Sequence, residues 1–204
     1  MHIAVIGPGK VGVGLGGALL RAGHQVTFGS RDPGAVAAEL PDGSDRATIA
    51  DACAAADAIL VTVNGASVES LLGSYGEHFA GRLVLDSTNH RDGQRFHRVP
   101  EWLAAAPDVR LFRAFCTLGY EHFLEPRIGG EQIDLFYCGG VGDAATPDDD
   151  ARTVESIVSS LGLRPVRLGG LEQADVLDGV TKIWFTLALG GHGRGVALRT
   201  LGLD

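Results

Sequence analysis

Cysteine is scarce in this chain of 204 residues: Cys53, Cys116 and Cys138 are an odd number, and no two of them form a CxxC. That pattern supports neither a disulfide framework nor a structural zinc site, so a reducing, cytoplasmic setting is expected. Positive charge is also in short supply. Seventeen Lys and Arg stand against twenty-five Asp and Glu, a net charge of −8, and the counterion-release drive for nucleic-acid binding is missing. Long apolar runs are lacking too. The longest mostly apolar stretch, Ile183 to Leu189, is far short of the roughly 20 residues that span a bilayer, so no membrane partner is expected. MHIAVIGPG enters a strand with no basic segment or cleavage site before it, and nothing points to export. His90 and His97 are not spaced i, i+4 and no HExxH occurs, so no metal is expected.

What the chain does have is alternation. HIAVIG, VGVGLGGALLRAG, QVTFG, PGAVAAEL, TIADACAAA, AILVTV, SVESLLGSYGEHF and RLVLDST follow one another as short apolar runs and helical patterns. This βαβ rhythm, with unbroken apolar stretches such as Ile59 to Val63, predicts a parallel sheet covered on both faces. In the first helix Val11, Leu15, Ala18 and Leu19 share a face, and Gly23 stops it. DVRLFRAF and DLFYCGG extend the sheet. TPDDDARTVESIVSSLG reads as a helix capped by Thr146, with Pro147 in its first position, aspartates at its positive end and Val154, Ile157, Val158 and Leu161 as its buried stripe. RPVRLGG supplies a last strand, and residues 171–201 read as a helical tail interrupted at GGHGRG. The expected fold is therefore α/β, a Rossmann-type, doubly wound, mostly parallel sheet with a short C-terminal helical segment. Residues 1–170 form the main sheet domain in this reading. Residues 171–204 complete the cleft, and Val176, Val180, Ile183, Trp184 and Leu187 at helical spacing offer a homodimer interface.

Gly7, Gly9 and Gly12 in GPGKVG match GxGxxG at the turn from the first strand to the first helix. There glycines permit a tight turn, close approach of a pyrophosphate and close helix packing, and the helix N-terminus supplies free amides. Gly7, Pro8, Gly9, Lys10, Val11 and Gly12 are the candidate phosphate cradle. About twenty residues further on, an NAD-binding chain places a carboxylate for the ribose hydroxyls. Here the second strand ends in TFGSRDP. A carboxylate repels a phosphate, whereas Arg31 can grip one with two hydrogen bonds and Ser30 can donate a third, so the pair reads as a pocket for the 2′-phosphate of NADPH. Asp32 is placed to cap a helical turn starting at Pro33.

With LDSTN, FRAFCTLGYEHF, DLFYCGG and LGLRPVRLGGLEQADVLDG, these stretches resemble, over nearly the full length, the NADPH-dependent reductases of the deazaflavin coenzyme F420. The resemblance implies NADP(H) as cofactor and a small-molecule hydride acceptor or donor, coenzyme F420 or a flavin, as second substrate. It places the nicotinamide at the carboxyl ends of the strands, beside Val63, Asn64, Asn89, Thr117 and Leu118. The chain departs from the family pattern where Asn64 and Gly65 replace a common Pro, where His90 follows the asparagine of STN, and where Cys116 replaces an Asn. Some relatives also carry a lysine near the position of Ala35. Hydride transfer between nicotinamide and a deazaflavin is direct and needs two stacked rings in a dry cleft, so no catalytic acid or base is assigned.

Two features stand apart. HRDGQRFHR carries Arg91, Arg95 and Arg98, and reads either as a site for the phosphate and glutamates of a deazaflavin or as a solvated loop. Lys182, three residues after Gly179, partly matches the catalytic lysine of β-hydroxyacid dehydrogenases and imine reductases. Thr186 replaces their asparagine, and the chain lacks their large helical domain, so Lys182 is expected as a helix-surface or interface charge. Two rival readings follow: an imine or keto reductase using Lys182, and a noncatalytic NADPH-binding redox sensor. Cys53 and Cys138 read as core, and Cys116 as either packing or a neighbour of the nicotinamide.

Overall fold

The computed structural model describes residues 1–35, 39–92, 94–140 and 148–203. Among these residues the strands are β1 (His2–Ile6), β2 (Gln25–Ser30), β3 (Asp45–Thr48), β4 (Ala58–Val61), β5 (Leu83–Asp86), β6 (Arg110–Arg113), β7 (Arg127–Ile128), β8 (Glu131–Gln132), β9 (Asp134–Gly139) and β10 (Arg164–Arg167). The helices are α1 (Lys10–Arg21), α2 (Ile49–Ala55), α3 (Val68–Tyr75), α4 (Val99–Ala105), α5 (Asp149–Ser160) and α6 (Ala174–Leu187). Eight strands form one sheet in the order β3-β2-β1-β4-β5-β6-β9-β10. The six from β3 to β6 are mutually parallel. β9 runs antiparallel to β6, and β10 parallel to β9.

Neighbouring residues of β4 show how the sheet is covered on both faces. Leu60 packs with Leu15, Leu19, Phe28, Val154 and Ile157 in one apolar cluster, under α1 and α5. Ile59 and Val61 pack with Ile49, Leu71, Trp102 and Leu177 in the other, under α2, α3, α4 and α6. The doubly wound, mostly parallel architecture expected from the sequence is thus the one observed. The chain reverses its direction across the sheet between β1 and β4, and the crevice beyond their carboxyl ends is where such sheets take ligands.

Several local features differ from the sequence reading. β3 was absent from it, because this exposed edge strand, DRAT, carries no apolar run. The β7–β8 hairpin turns on Gly129 and Gly130, both at positive φ, and its strands are too short to show a period. The PGAVAAEL pattern begins with a 3-10 turn at Pro33–Ala35; its residues 36–38 lie outside the described residues. Thr146 and Pro147 also lie outside them, and α5 is capped instead by Asp148, whose carboxylate accepts the Ala151 N–H at 2.7 Å. The tail is not helical to Leu201. α6 ends at Leu187, a wider turn covers Ala188–His192 with Gly191 at φ 111°, and residues 193–203 run back as an irregular strap.

Candidate functional site

Two of the three glycines of the first turn answer to a contact. Gly7 sits at φ +110°, and a Cβ there would lie 2.9 Å from Val63. A Cβ on Gly12 would meet the Gly7 carbonyl oxygen at 2.2 Å and Thr62 Oγ1 at 2.6 Å, so α1 touches the strand ends only because Gly12 has no side chain. The Thr62 hydroxyl donates to that same Gly7 carbonyl at 2.7 Å, locking the turn. Gly9 differs: nothing lies within 4 Å of a Cβ built on it, so its outer side is open. It is the N-cap of α1, with no capping side chain, which leaves the amides of Lys10, Val11 and Gly12 without intrahelical partners. These open amides at a helix N-terminus fit a pyrophosphate.

Beside this turn lies a cleft of about 340 Å³. Gly7, Pro8 and Val63 form its floor with Ile6 and Ile49, and Ser30 and Arg31 form one side. Asp32, the carboxylate nearest in sequence, is turned to its own backbone: Oδ1 accepts the N–H groups of Gly34 and Ala35 at 3.0 and 3.2 Å, the capping role expected of it. Among the described residues no Asp or Glu lines the cleft. Among the described residues Arg31 has neither a hydrogen bond nor an ion pair, and the buried Ser30 hydroxyl has no partner. The opposite wall, which sequence reasoning missed, is Ser67, Ser70, Ser74 and Tyr75 along the start and exposed face of α3. The serine spacing in SVESLLGSYG was the available signal.

The carboxyl ends of β5 and β6 form a stiffer region. Arg113 is fully buried; its Nη1 donates to Asp86 Oδ2 at 3.2 Å and to the Thr88 carbonyl at 2.9 Å. Its Nη2 donates to Asp178 Oδ1 at 3.0 Å and to Asn89 Oδ1 at 3.3 Å. Asn89 Nδ2 in turn donates to the Cys116 carbonyl at 2.9 Å. One guanidinium therefore fixes the ends of two strands and the start of α6. Burial opposes its charge, but the Asp86 and Asp178 carboxylates raise its pKa above the ordinary value. Burial also raises the Cys116 thiol pKa, so at neutral pH this residue is a protonated packing group. Burial pushes Cys53 and Cys138 up to about 12. All three cysteines are free and buried. Phe115 holds φ 63°, an outlier for a bulky residue, with its ring edge-on to Phe123 at 5.7 Å.

The structure gathers some of the sequence-predicted residues and separates others. Gly7, Pro8, Ser30, Arg31 and Val63 line the cleft; Gly9, the N-cap of α1, and Lys10, Val11 and Gly12 in its first turn are outside that lining. Asn64, Asn89, Thr117 and Leu118 do not line it. Asn64 caps the turn into α3, accepting the Ala66 N–H at 2.9 Å. Thr117 and Leu118 are buried, Leu118 within an apolar cluster and Thr117 with a hydroxyl that has no partner among the described residues. Lys182 lies on the exposed side of α6 with its Nζ 5.3 Å from the Phe96 ring centre. His97, Asp175 and Asp178 bring ligand-type atoms within 4.8 Å of one another, but those atoms are engaged. His97 Nδ1 accepts from the Val99 N–H at 3.3 Å, which leaves Nε2–H to donate to Asp175 at 3.2 Å. Both oxygens of Asp178 already accept hydrogen bonds.

Comparison with known proteins bears out the resemblance seen in the sequence. Residues 2–90 match the family described as NADP oxidoreductase, coenzyme F420-dependent. The F420-dependent NADP reductase of Methanothermobacter marburgensis is 28% identical over 100% of this chain and 99% of its own. A crystal structure from Arthrobacter sp. FB24, provisionally described as an F420-dependent NADP-reductase, superposes with a TM-score of 0.80 at 25% identity, covering 98% of each chain. An imine reductase from Streptomyces aurantiacus shares the fold, with a TM-score of 0.68 at 17% identity, covering 93% of this chain and 62% of that one.

Proposed function

We propose, with the match of residues 2–90 to the F420-dependent NADP oxidoreductases as the premise, that this chain exchanges hydride between NADP(H) and a deazaflavin, coenzyme F420, or a flavin-like acceptor. The observation that carries the cofactor choice is the lining of the cleft: Arg31 and Ser30 with unspent donors where a ribose-binding acid would stand, and no carboxylate in the wall among the described residues. Two guanidinium hydrogen bonds and one from the hydroxyl suit a 2′-phosphate. The open side of Gly9 and the free amides of Lys10, Val11 and Gly12 hold the pyrophosphate. Val63 and Asn89 border the nicotinamide. Asn89 acts from an amide fixed on both sides, by Arg113 and by the Cys116 carbonyl.

Bound NADPH supplies the hydride itself. The residues of the chain bind, orient and exclude water, and none of them needs to move a proton. Lys182, at the surface over Phe96, takes no part, which separates this reading from an imine or keto reductase. Residues 171–204 close the acceptor side of the cleft. The outward face of α6, where Val176 and Ile183 are 54% and 52% exposed, pairs two copies. Buried thiols fit a reducing cytoplasm.

The test is NADPH oxidation by purified protein with F420, FMN and FAD in parallel. Rapid loss of deazaflavin absorbance is the expected result. NADPH binding without transfer to any of the three contradicts the reading and favours a sensor. A rate with cyclic imines that collapses on Lys182→Ala favours the imine reductase.

A further inference from the structure

A second cavity, of about 330 Å³, lies beyond the end of β5 and shares no lining residue with the nucleotide cleft. His90, Gln94, Arg95, His97, Arg98 and Glu101 line it. In a chain of net charge −8, two guanidinium groups converging on one cavity call for an account. Neither is spent. Arg98, 18% exposed, gives Nη1 to Glu101 at 2.6 Å, while its Nε is buried without a partner among the described residues. Arg95 reaches Asp175 only at 3.9 Å, with both side chains more than half exposed, a pair too loose to hold it. Arg91, grouped with them by sequence, lies elsewhere, with its guanidinium 4.7 Å from the Phe185 ring centre.

The frame of this cavity is hydrogen-bonded to the Arg113 network at the strand ends. Asp178 Oδ2 accepts the N–H groups of Phe96 and His97 at 2.8 and 3.0 Å, while its Oδ1 holds Arg113. The His90 N–H donates to the Phe96 carbonyl at 2.9 Å, which closes the segment on itself. His90 directly follows Asn89, so the cavity adjoins the strand end that borders the nicotinamide. The His97 imidazole, hydrogen-bonded through both nitrogens, adds no free acceptor. Buried or loosely held N–H donors beside a fixed frame suit an anion.

We propose that this cavity binds the anionic portion, phosphate or carboxylate, of the hydride acceptor, an inference that rests on the function proposed above. Charge-assisted hydrogen bonds from Arg95 and Arg98 then orient the acceptor ring toward the strand ends.

The experiment compares wild type with Arg95→Gln, Arg98→Gln and the double variant. Three acceptors are used: F420, the same deazaflavin without phosphate and glutamates, and FMN. In the double variant the KM for F420 rises about tenfold or more, the loss of two charge-assisted contacts. The KM for NADPH and for the tail-less deazaflavin stays unchanged. FMN, a phosphate without carboxylates, identifies the anion: a parallel rise in its KM assigns the phosphate, and no rise assigns the carboxylates. An unchanged KM for F420, or an equal rise for the tail-less acceptor, overturns the proposal. If wild type reduces none of the three, the functional reading has failed, and calorimetric titration with inorganic pyrophosphate at saturating NADP+ decides the anion site by itself. Binding lost in the double variant supports the site; binding equal in both proteins, or absent from wild type, overturns it.

Discussion

Arg113 stands in RLFRAF, where a strand of the sheet should be apolar, and that anomaly was the visible sign of the buried network. A guanidinium with no exposed surface persists because Asp86, Asp178, Asn89 and the Thr88 carbonyl together take up both of its Nη groups. Arg113→Met leaves two carboxylates buried without their cation and should cost about 3–5 kcal/mol in urea unfolding. Adding Asp86→Asn and Asp178→Asn to it should recover part of the loss. A loss under 1 kcal/mol on Arg113→Met, on the scale of about 0–1 kcal/mol for an exposed pair, would show that the network carries no weight. At the opposite pole, Arg31 is exposed and unpaired among the described residues. Its sequence position, not any packing requirement, made it legible as a binding residue. Thr117 and Leu118 were nominated by family resemblance, and burial places both inside the loop, away from the lining of the cleft.

At the scale of elements, legibility followed burial. The central strands announced themselves because both faces are covered and their residues are nearly all apolar; the β1–α1 turn did so because Gly7 and Gly12 answer to contacts that only glycine tolerates. β3 and the β7–β8 hairpin were silent, since an exposed edge and a two-residue strand need no pattern. The tail misled because its apolar spacing continues past the point where Gly191 and Gly193, both at positive φ, end the helix. What holds the strap after it is polar and non-local. The Asp134 carboxylate accepts the Thr200 N–H at 2.6 Å, the Thr200 hydroxyl and the Arg164 fork, Trp184 Nε1 donates to the Val196 carbonyl at 2.8 Å, and Arg194 pairs with Glu121 at 2.6 Å. Burial alone would raise the Asp134 pKa, but the hydrogen bonds from Arg164 and Thr200 outweigh it and hold the pKa below the ordinary 3.8. A depressed carboxylate pKa contributes stability that is present above the ordinary value and is lost as pH falls through the folded one. The strap should therefore stay protected at neutral pH and loosen below pH 3.8, read as a fall in the protection factor of the Thr200 amide, which compares its exchange with that of an unstructured amide at the same pH. Asp134→Asn should weaken that protection already at pH 7. Unchanged exchange in the variant would remove Asp134 from this role.

For the whole molecule, one sheet with two cores accounts for both cavities. The cleft proposed for the nucleotide lies where the winding reverses between β1 and β4, and the cavity proposed for the anion lies further along, past β5. The dimer proposal belongs at this scale: Ile183→Glu should leave the fold intact and shift sedimentation at micromolar concentration from dimer to monomer. A wild-type monomer would contradict it. The central claim is that Ser30 and Arg31 read a 2′-phosphate. The most direct test is the ratio of kcat/KM for NADPH over NADH, with F420 as acceptor, in wild type and Arg31→Asp. Wild type should prefer NADPH by about a hundredfold, and the variant should lose most of that preference as a phosphate grip becomes a repulsion. A wild-type ratio near one, or a variant that keeps its preference, would contradict the account.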